Sequence, residues 1–75
     1  PQKLYLETVR RIKDATRRLA AFPLSGRVVP EFPESDYREI IVREYRILYE
    51  PTEDQVEILT VVHGKRDLPS LLQPT

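Results

Sequence analysis

Cysteine is missing from this 75-residue chain, and so are methionine and any long apolar run. Without cysteine, neither a disulfide nor a thiolate metal site can brace the fold. A single histidine, His63, does not make up for that, so no structural zinc and no other metal is expected. No apolar run approaches the roughly 20 residues of a membrane-spanning helix, and no signal-peptide pattern opens the chain. A cytoplasmic protein without a membrane partner is therefore expected. The missing methionine leaves two readings, an initiator removed before Pro1 or an N-terminal piece that belongs ahead of it. With two glycines in all there is no glycine-rich phosphate loop. Ser25 and Ser70 have no histidine near them in sequence and read as turn residues, and no cofactor is implied.

The length fits one domain over residues 1–75, near the lower limit for a single core, so a partner chain is the expected source of further stability. Net charge is zero but unevenly placed. Residues 1–29 carry seven basic side chains against Glu7 and Asp14, a net of +5, and residues 30–75 carry five against ten acidic ones, a net of −5. A basic segment in a neutral domain is weak evidence for nucleic-acid contact.

Residues 2–21 have the spacing of a helix. Tyr5, Val9, Ile12, Thr16 and Leu19 form one stripe, and Glu7 with Arg11 and Asp14 with Arg18 stand as i,i+4 pairs. Pro23 ends the helix. The basic residues on its polar side are read as a solvated face, with phosphate contact as the lesser reading. Phe22 to Arg27 is a connection with Gly26 for a turn, and Phe22 and Leu24 are expected to fold under the sheet as a plug. Pro30 and Pro33 make Val28 to Ser35 an extended loop or edge segment.

Three strands follow, at Tyr37 to Arg43, Tyr45 to Tyr49 and Gln55 to His63, joined by turns at Arg43-Glu44 and Pro51 to Asp54. Alternation puts Tyr45, Ile47 and Tyr49 on one face and Arg46 and Leu48 on the other. In the last strand it puts Val56, Ile58, Thr60 and Val62 opposite Glu57, Leu59, Val61 and His63. A run apolar on both faces suits a central strand. The expected fold is α+β, an N-terminal helix packed on a three- to four-stranded antiparallel sheet. One helix covers one face, so Ile41, Leu48, Leu59 and Val61 are expected to need cover from a partner. Leu68 to Leu72 reads as a tail able to form one helical turn.

The residues with chemistry to offer are Arg38, Arg46, His63, Lys65 and Arg66, with Tyr37, Tyr45 and Tyr49 beside them. Clustered cations with one imidazole could hold a phosphodiester and move a proton. The plainer reading has Arg46 lying across the sheet, His63 packed at a strand end, and Arg66 paired with Asp67 or Glu57. Glu31, Glu34, Asp36, Glu53 and Asp54 fall in loops and are read as solvated.

Tyr45-Arg46-Ile47-Leu48-Tyr49, the strand Val56 to Val62 and then His63-Gly64-Lys65-Arg66-Asp67 together resemble the RelE/ParE superfamily of bacterial toxins. The helix ending at Phe22-Pro23, followed by Gly26-Arg27, is similar to that family's second helix and the connection after it. The family's opening strand and first helix, expected ahead of Pro1, have no counterpart, so the resemblance is to an N-terminally short member. It implies the toxin of a type II toxin–antitoxin pair, of the kind tied to plasmid stabilisation and growth inhibition. Its partner would be a cognate antitoxin, in a toxin–antitoxin hetero-oligomer.

The RelE-like branch cuts messenger RNA on the ribosome, and the ParE-like branch acts on DNA gyrase. In the RelE-like pattern Arg46 and Arg66 match the family's arginines, and His63 would stand in for proton transfer. That branch also uses lysines on the preceding strand and a tyrosine near the C-terminus. Here the preceding strand offers Tyr37, Arg38 and Glu39, and no tyrosine follows Tyr49. The resemblance is therefore closer to the ParE-like branch, acting by binding. Arg38, Arg46, His63, Lys65 and Arg66 are the expected surface; ribosome-dependent cleavage is one alternative, and an inactive toxin remnant that only binds an antitoxin is the other.

Overall fold

The computed structural model describes residues 2–64, with side chains from Tyr5 onward. Helix α1 spans Gln2–Ala21 and is followed by β1 (Arg27–Val28), β2 (Arg38–Val42), β3 (Tyr45–Pro51) and β4 (Val56–His63). All pairings are antiparallel and the strand order is β1-β2-β3-β4, with α1 packed against β2. This is the expected α+β class. Lys65, Arg66 and the Leu68 to Leu72 tail lie outside the described residues.

The stripe on α1 seats the C-terminal half of the helix. Ala15 and Leu19 are buried, Val9, Ile12 and Thr16 are half-buried, and Tyr5 is exposed. A 20-residue helix is about 30 Å long and a five-residue strand about 17 Å, so α1 overruns the strand it packs on. The last turn closes with the Phe22 amide donating to the Arg18 carbonyl at 2.9 Å, and Pro23 prevents continuation. The expected i,i+4 pairs do not form. Asp14 instead meets Arg17 at 3.5 Å and Glu7 meets Arg43 at 3.8 Å, a small difference at exposed positions where ion pairs contribute little.

The face of the sheet away from α1 is covered by the chain itself. Val29 and Leu48 are fully buried there, with Phe32, Tyr37, Leu59 and Val62 packed around them. The covering loop is held by its own turns. The Phe32 amide donates to the Val29 carbonyl at 3.0 Å, and the Ser35 hydroxyl donates to the Phe32 carbonyl at 2.7 Å. Leu48 and Leu59 therefore need no partner, contrary to expectation, while Ile41 and Val61 remain exposed. Phe22 and Leu24 do not form a plug; they are 67% and 66% exposed. Val29 and Phe32 fill the place assigned to them.

The β3–β4 register shifts between Leu48 and Tyr49, where Leu48 faces Thr60 but Tyr49 faces Ile58. Leu59 is the extra residue of a β-bulge, which breaks the alternation. Ile58, Val61 and His63 consequently share the α1 side with Tyr49, Ile47 and Tyr45, and Thr60 and Val62 point the other way. The faces expected from simple alternation hold for β3 and fail for β4. The central position expected for the last strand fails as well: β4 is outermost among the described strands, because two tight turns pair successive strands and leave the last at one side. One of those turns places Arg43 at φ 55°, the left-handed region that non-glycine residues seldom enter. The other is closed by Thr52, whose hydroxyl donates to the Gln55 carbonyl at 2.8 Å and accepts from the Gln55 amide at 3.2 Å.

Candidate functional site

The two-residue turn at Arg43-Glu44 pairs Val42 with Tyr45, and the rest of the hairpin register follows. Ile41 faces Arg46 and Glu39 faces Leu48, so Glu39 and Arg46 are diagonal neighbours on the face opposite α1. Both are buried. A buried charge has to be paired, and here two carboxylates meet one guanidinium. Arg46 Nε donates to Glu39 Oε1 at 2.8 Å, and Nη2 donates to the same oxygen. Nη1 and Nη2 donate to Glu31 Oε2 and Oε1 at 2.8 and 2.9 Å, the two-pronged geometry that guanidinium and carboxylate favour. The second Glu39 oxygen accepts from Arg27 Nε at 2.5 Å. No buried side-chain polar atom among the described residues lacks a partner.

The electrostatics follow from these bonds. The Glu31 carboxylate raises the Arg46 pKa further above its ordinary value, so Arg46 stays a cation. Arg46 in turn holds the Glu31 carboxyl below the ordinary 4.5. The stability gained from a carboxyl with a lowered folded-state pKa is present above its unfolded value and is lost as pH falls through the folded one. The midpoint of urea unfolding of the parent chain should therefore exceed that of Glu31→Gln at pH 6, with the gap closing as pH falls from about 4.5 towards 3. A gap that persisted unchanged at pH 3 would contradict the assignment.

Beside this cluster lies an open groove. Its lining includes Arg27, Glu31, Ile41, Arg43, Arg46 and His63. His63 ends β4 opposite Tyr45, their rings edge-to-face at 6.0 Å, and the Gly64 amide then donates to the Glu44 carbonyl at 2.8 Å. Ile41 is exposed in the groove.

Of the residues expected to form a surface, Arg46 and His63 come to this groove and Arg38 does not. Arg38 lies on the α1 side, where its Nη1 donates to the Gly26 carbonyl at 2.7 Å and towards the Leu24 carbonyl at 3.4 Å. Lys65 and Arg66 lie outside the described residues. Arg46 lies across the sheet with carboxylate partners at both edges, and Glu31, an exposed loop carboxylate as expected, is nevertheless bound to it. Sequence reasoning missed Glu39 and Arg27 as members of the cluster. Glu39 was detectable, since an arginine inside an apolar strand needs a carboxylate and the turn fixes which one lies diagonal to it.

Tyr49 is the second buried polar anchor. Its hydroxyl donates to the Pro23 carbonyl at 2.7 Å and accepts from the Gly26 amide at 2.9 Å. Through Tyr49 and Arg38, β2 and β3 hold the connection that follows α1, and so set where Arg27 enters the cluster.

Among the described residues there is no group of three or more His, Cys, Asp or Glu side chains placed to hold a metal ion. No described helix is long and apolar enough to cross a membrane. No curated protein and no solved structure matches the chain. One family model does, described as ParE toxin of type II toxin-antitoxin system, parDE, and it matches residues 3–68. That match spans α1, the whole sheet and the His63-Gly64 end of β4, and on it the chain belongs to the ParE toxin family of type II toxin–antitoxin systems.

Proposed function

We propose that the protein inhibits DNA gyrase by binding it, and that a cognate antitoxin neutralises it. The observation that supports binding over RNA cleavage is the state of Arg46. A nuclease of the RelE-like kind needs that arginine free to stabilise charge building on a phosphate. Here both edges of the guanidinium are taken by Glu31 and Glu39. Arg46 and Arg38 then serve as framework, and His63 supplies contact surface at the groove. The exposed Ile58 and Val61, both on the α1 side of β4, give an antitoxin segment apolar area to cover. Coexpression with the antitoxin should raise soluble yield.

The test incubates the purified protein with gyrase, plasmid and ATP, and separately with translating ribosomes and a labelled message. Gyrase-dependent linear plasmid with an intact message is the expected result. Codon-positioned cuts in the message, with the plasmid untouched, would overturn the proposal in favour of the ribosome-dependent nuclease.

A further inference from the structure

We propose that the outer face of α1 binds the phosphodiester backbone of duplex DNA. The structure divides the arginines into two groups. Those of the sheet and its connections have partners within the protein: Arg27 and Arg46 with carboxylates, Arg38 with backbone carbonyls, Arg43 with Glu7. On α1 the position is reversed. Arg10, Arg11, Lys13 and Arg18 are exposed and make no ion pair or hydrogen bond among the described residues, and Arg17 reaches only Asp14, at 3.5 Å.

These five cations lie together. At about 100° per residue they fall within an arc of roughly 160°, centred opposite the stripe of Ile12, Ala15 and Leu19 that faces the sheet, and from Arg10 to Arg18 they span about 12 Å along the axis. Only Asp14 interrupts them in that window. Arg11 and Arg18 also share a groove with Asp14 and Arg43, between the helix and β2. Besides Asp14, α1 carries only Glu7, one turn before Arg11 and paired with Arg43; the other acidic residues are off the helix. Glu39 is buried and Glu31 is bound to Arg46, and Glu34, Asp36, Glu53 and Asp54 lie in loops. The neutral overall charge thus conceals a strongly basic helix surface.

Two features select the ligand. Every outward position between Arg10 and Arg18 is charged, so the face lacks the apolar centre that a protein partner's interface requires, whereas nucleic-acid interfaces are polar and positively charged. Four of the five cations are arginines, whose planar fork matches a phosphate with two hydrogen bonds. Between nucleic acids, the groove decides. The B-form major groove, about 12 Å wide, admits a helix with cations on both flanks, and the deep, narrow A-form groove does not. The proposal does not depend on the gyrase reading.

The test is fluorescence anisotropy of a labelled 20-bp DNA duplex with the full chain and no gyrase, so its outcome leaves the gyrase reading untouched. Contact with about four phosphates should weaken binding roughly a hundredfold between 50 and 200 mM salt. The triple variant Arg10→Gln, Lys13→Gln, Arg17→Gln changes exposed positions only, and circular dichroism checks its fold. It should bind at least tenfold more weakly at 50 mM salt, with a shallower salt dependence. The proposal is overturned if the parent does not bind at 50 mM salt, or if the folded triple variant binds as the parent does. Equal displacement by duplex RNA, or by polyglutamate at matched charge, would also overturn it.

Discussion

Arg46→Ala is expected to cost about 3–5 kcal/mol of folding stability, because it leaves the buried Glu39 carboxylate short of its main partner and Glu31 without its guanidinium. A chain of this size has roughly 4–11 kcal/mol in total. The substitution should therefore bring the protein close to unfolding at 37 °C, read as a large fall in urea midpoint or in soluble yield. The charge is not what makes the site stable. The difficulty is that Glu39 is fully buried, and the remaining Arg27 contact comes from a side chain that is 64% exposed. The consequence bears on function. Loss of toxicity in Arg46→Ala would report an unfolded protein and would not establish that Arg46 touches a substrate.

Gly26→Ala is the second large effect. A methyl group there would stand 2.6 Å from the Glu39 carbonyl oxygen, 2.6 Å from the Tyr49 hydroxyl oxygen and 2.8 Å from its ring. The first neighbour is backbone within the β1–β2 pairing, so it cannot yield without opening the edge of the sheet. If the tyrosine ring moves instead, its hydroxyl leaves both the Pro23 carbonyl and the Gly26 amide. Overpacking typically costs about 1–3 kcal/mol, and each backbone group left buried and unsatisfied adds about as much again. A loss of roughly 3 kcal/mol in urea unfolding is expected. Gly64→Ala is the matched control, because its methyl would come no nearer than 3.3 Å to the Glu44 carbonyl oxygen. It should change stability by less than about 1 kcal/mol. Equal effects at the two glycines would contradict the packing seen around Tyr49.

Much of the fold was legible because each element has a local cause. The 3.6-residue stripe and Pro23 bound α1, and Arg43-Glu44 and the proline-led turn at Pro51 bound β3. The residues were misread where the cause is tertiary. Nothing local distinguishes a loop that covers a sheet face from one that runs in solvent, so Val29 and Phe32 went unrecognised and Phe22 and Leu24 were given their place. The bulge at Leu59 carries no glycine to mark it, and without it Val61 and Thr60 are assigned to the wrong sides. Gly26 was read as a turn glycine, but its φ is not positive; the close approach of Tyr49 is what excludes a side chain. In the site, the cations were visible and their partners were not. Arg46 stood out as a charge in an apolar strand, and the same fact implied a buried carboxylate. The hairpin register identifies Glu39, whereas Glu31 reaches Arg46 only through the path of the long loop.

The central claim is that Arg46 belongs to the framework, and a stability comparison of Arg46→Met with the double variant Arg46→Met, Glu39→Leu tests it most directly. Replacing one member of a buried ion pair strands the other, whereas replacing both with apolar side chains removes the stranded charge. The expected result is a drop of about 3 kcal/mol or more in the single variant, with a large part recovered in the double. A single variant as stable as the parent would mean that Glu39 does not depend on Arg46, and would return that arginine to the surface as a group free to meet a phosphate.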